Sequence, residues 1–483
     1  MEWEDDSTEV NMENKTLLSG GEKVSYGLGA VGKDMVYMLS ASYILYYYQD
    51  VCGVPAAAMG VILLVARVFD AFNDPIMGVI VAKTRTRWGK FRPWLMIGTI
   101  LNSIILYFMF SAPPRLDGPG LTAYAAVFYI MWGVTYTMMD IPYWSMVPAF
   151  TRSGKEREGL SALARSCAGV GSAIISIITV KAVSALGHTA GGTDENYERL
   201  GYSKLALLVA VLFVAFITVT CLVIKEKSTV DVKSASVKEM FSALVSNDQA
   251  ITIVIAIVIT NTALYITSNL VIYFFKYDFS PAVWEDNYTL FNVAGGGFQI
   301  LSMMILFPLL RRFMNTLKIF YTCFIMSFLG YGVLLAESFI LKDNVYYLLI
   351  PAFLIMSALG MLNVVQTIFL ANTVDYGELK NRRRDESVIF SMQTFVVKLS
   401  SGVAAFVAGI VLSVCNIKKD TEAVVSGEIA ASTRTGLRMS MTIIPIIILA
   451  VGITVFAKKY ILTDEYLAKI TEELKERRNE AGE

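Results

Sequence analysis

The chain has 483 residues, of which 55% are hydrophobic and only 17% are charged, and its mean hydropathy is +0.56. Soluble domains are about a quarter charged, so this composition excludes an ordinary soluble enzyme. Lysine plus arginine (41) equals aspartate plus glutamate (41), so no basic excess points to nucleic acid as a partner.

Twelve apolar stretches of 20 or more residues follow one another along the chain. Each is long enough to cross a hydrocarbon core of about 30 Å at 1.5 Å per residue. The predicted spans are 26–48, 55–82, 94–113, 121–150, 160–187, 201–224, 249–275, 284–310, 316–341, 344–373, 386–415 and 433–457. The sequence therefore predicts an all-α membrane protein with twelve transmembrane helices in a lipid bilayer.

Lysine and arginine are distributed unevenly among the loops between these spans. One alternating set of loops holds nineteen of them, and the other set holds seven. Because positively charged loops stay in the cytoplasm, we expect both termini there, in a chain that crosses the plasma membrane many times. The longest polar connection of the cytoplasmic set, 225–250, divides the spans six and six.

The chain is therefore expected to have two related halves. The predicted regions are a cytoplasmic N-terminal segment (1–24), an N-terminal six-helix bundle (25–224), a central cytoplasmic loop (225–248), a C-terminal six-helix bundle (249–458) and a cytoplasmic tail (459–483). A shift of about 227 residues places the loop that begins at Val147 over the loop that begins at Val374. Such repeats are typical of transporters whose substrate site lies between the repeated parts.

Several ionisable side chains fall inside the predicted spans, where each costs about 2.5 to 3.5 kcal/mol on insertion scales. They are Lys33, Asp34, Arg67, Asp70, Asp74, Asp140, Arg165 and Lys398. Their summed cost before pairing is about 20 kcal/mol, which exceeds the net stability of most folds. These groups must face one another or water, so they are candidate functional residues.

Two of these acids, Asp70 and Asp74, are four residues apart and share one helix face, about 6 Å apart along the axis. Two carboxylates this close repel each other unless a positive group lies between them or one is protonated. A hard monovalent cation prefers oxygen ligands, and the hydroxyl of Thr137 in the fourth span could supply one. The alternative is an ion-pair network between helices, with Arg67 and Lys398 as the basic partners.

A second candidate site lies within the fourth span. Tyr136, Asp140 and Trp144 are spaced four residues apart there and form one stripe on the helix. A carboxylate accepts hydrogen bonds from pairs of hydroxyl groups, and an indole face stacks on the C–H face of a pyranose. This stripe therefore suits a sugar. Hydrogen-bond donors of the kind that a polyol needs are present at Arg165, Gln393, Thr394 and Lys398. Alternatively, Trp144 anchors the membrane interface, Tyr136 packs, and the bases form salt bridges.

Several stretches around these residues resemble one known family. They are SYGLGAVGKD, ARVFDAFNDPIMG, TRTRWGKFRPW, WGVTYTMMDIPYWS, VDYGEL and MQTFVVK. On these stretches the chain is identified as a member of the glycoside-pentoside-hexuronide:cation symporter family within the major facilitator superfamily. The resemblance covers about Lys23 to Tyr460 and implies the fold of that superfamily, two bundles of six transmembrane helices.

The resemblance also implies roles for individual residues. For the cation site it implies Asp70, Asp74 and Thr137 as ligands, and Asn73 as a residue that influences which cation is accepted. For the sugar it implies contacts from Lys33, Asp34, Asp140, Trp144 and Arg165 in the first half, and from Gln393, Thr394 and Lys398 in the second. Asn363 departs from the family pattern because some members have a tryptophan there. Its smaller polar side chain removes an aromatic wall and would suit a larger or differently oriented sugar.

These features predict a secondary active symporter, not an enzyme, that imports a glycoside or related sugar by alternating access. Its expected partners are the sugar, a monovalent cation (Na+ first, with Li+ or H+ as the other candidates) and the bilayer. We expect no cofactor. Two alternatives stay open: a sugar-binding membrane sensor that does not transport, and a cation-coupled transporter of a non-sugar organic solute.

Overall fold

A computed structural model describes residues 18–151, 154–193, 196–226, 242, 244–340, 344–382, 386–417 and 431–481. All regular secondary structure in these residues is helical. Most of the predicted N-terminal segment and most of the predicted central loop lie outside the described residues.

Twelve long helices and one C-terminal helix make up most of the described chain. In the first half they are α1 (Gly20–Tyr46), α2 (Ala56–Lys83), α3 (Arg92–Met109), α4 (Gly118–Ser145), α5 (Gly154–Thr189) and α6 (Tyr197–Val223). In the second half they are α7 (Asp248–Tyr277), α8 (Trp284–Leu301), α9 (Thr316–Ile340), α10 (Val345–Asn381), α11 (Glu386–Val414) and α12 (Ala431–Lys459). Short π-helices, Tyr47–Val51 and Ser302–Leu306, extend α1 and α8, and α13 (Asp464–Ala481) follows α12. Each predicted span overlaps one of the helices α1 to α12.

Ten of the helices in the described part of the chain are long and apolar enough to cross a membrane. The two long helices outside that set are α1 and α4. They contain Lys33, Asp34 and Asp140 together with many tyrosines, which lower their mean hydropathy. The all-α fold with many helices long and apolar enough to cross a membrane is therefore confirmed, and the two long helices outside that set both contain predicted site residues.

The chain forms two compact units. One comprises Met1–Tyr47 and Phe72–Ser234, and the other comprises Tyr48–Ala71 and Ala235–Glu483. Within the first unit α1 packs on α5 and α6, and α3 packs on α4 and α6. Within the second unit α7 packs on α11 and α12, and α9 packs on α10 and α12. The second set of helix pairs is the first set shifted by six helices, as expected for an internal repeat.

The first half of α2 belongs to the second unit because it lies closely against α11. A Cβ atom on Gly60 would lie 3.0 Å from the Cα atom of Phe406, and a Cβ atom on Gly402 would lie 2.9 Å from the Cβ atom of Arg67. Glycine permits this close approach of two helices because it has no side chain. Larger residues at these two positions would push α2 and α11 apart.

Two buried ion pairs lie at the C-terminal end of α7 in the second unit. Asp50 accepts a hydrogen bond from Lys276 at 2.7 Å and another from the hydroxyl of Tyr277. Asp278 accepts two bonds of 2.5 Å from the guanidinium group of Arg438 in α12, and the Asp278 side chain is only 1% exposed. Because a charge buried this deeply is costly without its partner, these pairs fix the position of this helix end.

We expect Arg438→Met to lower the free energy of unfolding by about 3 to 5 kcal/mol, because Asp278 then keeps a buried charge without its guanidinium partner. The measurement is thermal unfolding of the purified protein in detergent. The double variant Arg438→Met with Asp278→Asn should recover most of the loss, since both charges are then removed together. A single variant as stable as the parent protein would contradict this role for the pair.

Candidate functional site

Lys33 of α1 lies at the centre of a group of polar side chains in the first unit. Its amine nitrogen is 2.8 Å from an oxygen of Asp140 and 3.1 Å from an oxygen of Asp34, and it donates to the Tyr136 hydroxyl at 3.3 Å. The Lys33 side chain is 6% exposed, whereas Asp34 and Asp140 are 19% and 18% exposed. Two carboxylates thus share the buried ammonium group of Lys33, and both acidic side chains remain partly exposed. A carboxylate has several lone pairs, so each can accept hydrogen bonds from hydroxyl groups as well.

Two tyrosines join α1 to α4 beside this polar group. The Tyr26 hydroxyl donates to the backbone carbonyl of Tyr143, and the Tyr143 hydroxyl donates to the backbone carbonyl of Tyr26, both at 2.6 Å. The two rings stack in parallel with their centroids 4.4 Å apart. Because Tyr26 is two helical turns before Lys33 and Tyr143 is three residues after Asp140, these bonds fix the two helices beside the charged groups.

Trp144 borders the same polar group and contacts two positively charged side chains. The Lys33 amine is 5.2 Å from the centre of its ring, and the guanidinium group of Arg165 in α5 is 5.1 Å from it. The indole ring is half-buried and meets the buried ring of Tyr143 edge-on at 5.3 Å. Such contacts hold the ring in place. Six predicted sugar-site residues therefore lie together in the first unit: Lys33, Asp34, Tyr136, Asp140, Trp144 and Arg165.

Three of the predicted cation-site residues lie together in the first unit. Thr137 of α4 donates its hydroxyl to Asp74 of α2 at 2.8 Å. Asn73 precedes Asp74, and its amide nitrogen is buried with no hydrogen-bond partner in the part of the chain that the structure describes. A carboxylate and a hydroxyl in contact supply the oxygen ligands that a small hard cation prefers.

The fourth predicted cation-site residue, Asp70, makes a different contact. It lies in the second unit, where the Arg67 guanidinium is 3.1 Å from its carboxylate, and both side chains are nearly buried. This contact pairs Asp70 with one of the two bases that the ion-pair alternative names, but it lies within α2 and does not join two helices. The role of Asp70 as a cation ligand stays a prediction.

The predicted site residues from the second half of the chain lie on α10 and α11. Gln393 donates to the Thr367 hydroxyl at 3.2 Å, and that hydroxyl donates to the backbone carbonyl of Asn363 at 2.9 Å. Lys398 lies further along α11 and is half-buried. The side chain of Thr394 lies outside the described residues. Thr367, which links Gln393 to Asn363, is four residues after Asn363, so helical spacing alone could have indicated it.

Sequence reasoning also missed Tyr37 of α1, whose ring centre is 5.6 Å from that of Tyr136. Tyr37 is four residues after Lys33 and therefore on nearly the same helix face. That spacing was available in the sequence. Tyr37 is uncharged at neutral pH, so it is not among the charged residues that mark the predicted sites.

Comparison with known proteins gives a match over nearly the whole described chain. The family model described as MFS/sugar transport protein matches residues 25–464. The lactose permease of Leuconostoc lactis is 27% identical to this chain, over 94% of this chain and 71% of the permease. The putative glycoside/cation symporter YagG of Escherichia coli (strain K12) is also 27% identical, over 97% of each chain.

A solved transporter structure has the same fold. It is a bacterial homolog of the human lysosomal transporter Spinster, in an inward-facing and unoccupied conformation. The alignment has a TM-score of 0.65 and covers 93% of this chain and 97% of the homolog. At 11% sequence identity, this similarity concerns the fold alone.

Proposed function

The chain belongs to the MFS/sugar transport protein family, and from this premise we propose that it is a secondary active symporter that carries a glycoside or related sugar together with a monovalent cation. The family resemblance drawn from the sequence motifs is confirmed, and so is the expectation of a membrane transporter rather than an enzyme. One relative is named for lactose and another for glycoside/cation symport. These names support a sugar as the substrate of this chain.

The polar group around Lys33 is the observation that carries the proposal. A sugar needs acceptors and donors for its hydroxyl groups and an apolar surface for its C–H face. Asp34 and Asp140 supply acceptors, and Lys33 supplies a donor when a sugar hydroxyl replaces one of its three protein contacts. The half-buried ring of Trp144 supplies the surface, with its centre 5.2 Å from the Lys33 amine. Arg165, which lies against the same ring, adds a second donor.

The cation would bind at Asp74 and Thr137, with Asn73 influencing which cation is preferred and Asp70 contributing from the preceding turn of α2. Na+ is the first candidate, and Li+ and H+ are the others. Thr137 and Asp140 are three residues apart on α4, so a cation that holds Thr137 also restrains the carboxylate that receives the sugar. The factor by which the cation raises sugar affinity must then equal the factor by which the sugar raises cation affinity.

Transport would follow alternating access, in which bound sugar and cation are open first to one side of the membrane and then to the other. The uneven distribution of lysine and arginine among the loops supports a plasma-membrane orientation with both termini in the cytoplasm. With that orientation and an inward sodium gradient, the coupled movement would be uptake.

Uptake by liposomes that contain the purified protein tests the proposal. Labelled lactose, melibiose, raffinose and maltose are supplied with and without an inward gradient of Na+ or H+. At least one sugar should accumulate, and a cation gradient should increase its accumulation. Binding without accumulation would identify a sensor instead, and neither binding nor uptake of any of these sugars would favour a non-sugar solute.

A variant pair separates the two roles considered for Asp70. We expect Asp70→Asn to remove most of the cation response of sugar binding and also to destabilise the protein, because the buried Arg67 then loses its ion pair with the Asp70 carboxylate. Adding Arg67→Gln should recover stability but not the cation response. Recovery of both in the double variant would show that Asp70 serves only as the partner of Arg67.

A further inference from the structure

Tyr37 lies on the face of α1 that contains the charged residues of the sugar site. At about 100° per residue around a helix, Tyr37 is about 40° from Lys33 and about 60° from Asp34, so it lies between them in projection. It is one turn further along, about 6 Å from Lys33 along the axis. Its ring is half-buried. Tyr37 therefore borders the polar group in the direction away from Trp144.

Buried aromatic rings of α4 support Tyr37. Its ring centre is 5.6 Å from that of Tyr136 and 6.3 Å from that of Trp132. Trp132 stacks in turn on Tyr136 at 5.2 Å and on Tyr129 at 5.6 Å. These three rings of α4 are 6% exposed or less. They form a rigid wall, and Tyr37 is the member of the group that keeps accessible surface.

Trp144 is supported in the same manner. Its half-buried ring meets the buried ring of Tyr143 edge-on. The Lys33 amine is 5.2 Å from the Trp144 ring centre and 5.7 Å from the ring centre of Tyr136, against which Tyr37 packs. The charged centre of the site thus has a supported aromatic ring on each side, with accessible surface on both.

The distance along α4 between Trp144 and Tyr136, the residue against which Tyr37 packs, is longer than one sugar ring. Tyr136 and Trp144 are eight residues apart, so their backbone positions are about 12 Å apart along α4. Their ring centres, 5.7 and 5.2 Å from the same Lys33 amine, are closer to each other than that. A pyranose stacked on Trp144 would leave Tyr37 uncovered, because Tyr37 borders the polar group in the direction away from Trp144. A second ring joined to the first could reach Tyr37, while hydroxyl groups between the two rings faced Lys33, Asp34 and Asp140.

We propose that Tyr37 is a second sugar-stacking residue, which contacts the second ring of a glycoside whose first ring lies on Trp144. This inference rests on the proposed function, because it assumes that the polar group around Lys33 binds a sugar. Tyr37 then sets a preference for two-ring glycosides over glycosides with one ring.

Equilibrium binding of matched ligands to the full-length protein in detergent tests this role. The pairs are lactose with methyl β-galactoside, melibiose with methyl α-galactoside, and maltose with methyl α-glucoside, each at saturating Na+ and again at low pH without Na+. In the parent protein at least one disaccharide should bind about tenfold more tightly than its methyl glycoside, as expected for one additional aromatic contact. Tyr37→Ala should remove this difference by weakening the disaccharide alone.

Two further variants serve as controls. Tyr37→Phe keeps the ring and should keep the preference, because stacking does not need the hydroxyl. Tyr124→Ala truncates another half-buried tyrosine, which lies on α4 against Phe128, and should leave the preference unchanged. Thermal unfolding of all variants shows whether the fold is kept.

The outcomes distinguish this inference from the proposed function. Equal weakening of both members of a pair by Tyr37→Ala would show that Tyr37 only packs, and it would overturn the inference while leaving sugar binding intact. A parent protein that binds the methyl glycosides as tightly as the disaccharides would overturn it as well. If no sugar in the set binds, the proposed function itself fails, and this inference fails with it.

Discussion

Asp140→Asn is expected to weaken sugar binding by about 30-fold or more, because the sugar then loses a charged acceptor for its hydroxyl groups. The substitution keeps the size of the side chain but removes the charge that pairs with Lys33 at 2.8 Å and that would accept sugar hydroxyl groups. The affinity is measured by isothermal titration calorimetry, with the sugar that binds most tightly to the parent protein.

A matched control for this variant lies on the same helix. Asp117 is the exposed N-cap residue of α4 and makes no side-chain capping bond, so Asp117→Asn makes the same chemical change far from the polar group. It should bind sugar like the parent. An Asp140→Asn protein that folds normally and keeps the affinity of the parent would exclude Asp140 from the sugar site.

Asp74→Asn is expected to abolish the effect of the coupling cation on sugar binding while leaving binding of the sugar itself measurable. Coupling free energies between two sites correspond to about 5- to 150-fold changes in affinity, and in this variant the ratio of affinities with and without the cation should fall to about one. The amide can still accept the hydrogen bond from Thr137. The variant therefore tests the charge of residue 74 and keeps its contact with α4.

The measurement is sugar affinity at zero and saturating Na+, repeated with Li+ and over a range of pH. If H+ is the coupling ion, the parent protein will show a pH dependence in place of a Na+ effect, and Asp74→Asn should remove that dependence. Asp117→Asn again serves as the control. Full cation dependence in the Asp74→Asn protein would exclude Asp74 as a ligand.

The two predictions also test the order of events on α4. If the cation acts on the sugar through Thr137 and Asp140, then Asp140→Asn should leave cation binding measurable in the absence of sugar. Asp74→Asn should leave the ratio of affinities for different sugars unchanged. Variants that lose both ligands together would indicate a disrupted fold, which their thermal unfolding would show.

The long helices could be predicted from the sequence because each membrane crossing needs about 20 apolar residues in succession. All twelve predicted spans overlap helices, but several ends differ. The predicted span 344–373 corresponds to a helix that continues to Asn381, and the span 160–187 corresponds to one that begins at Gly154. Apolar length predicts the part of a helix within the bilayer, and it does not report where polar residues continue the same helix beyond it.

Helical spacing likewise predicted which residues share a helix face. Asp70 and Asp74, and the stripe of Tyr136, Asp140 and Trp144, follow directly from 3.6 residues per turn. These are relations within one helix. They need no knowledge of which helices are neighbours.

Only the tertiary structure decided which acid contacts which base and where the aromatic walls lie. Lys33 lies between Asp34 and Asp140, Arg67 pairs with Asp70, and Thr137 bonds to Asp74. The bond from Lys33 to Tyr136 joins residues 103 positions apart. The sequence determined the helices and their polar faces because those depend on local composition and periodicity. The partners across helices depend on how distant segments pack, and the same set of charges permits many pairings until packing selects one.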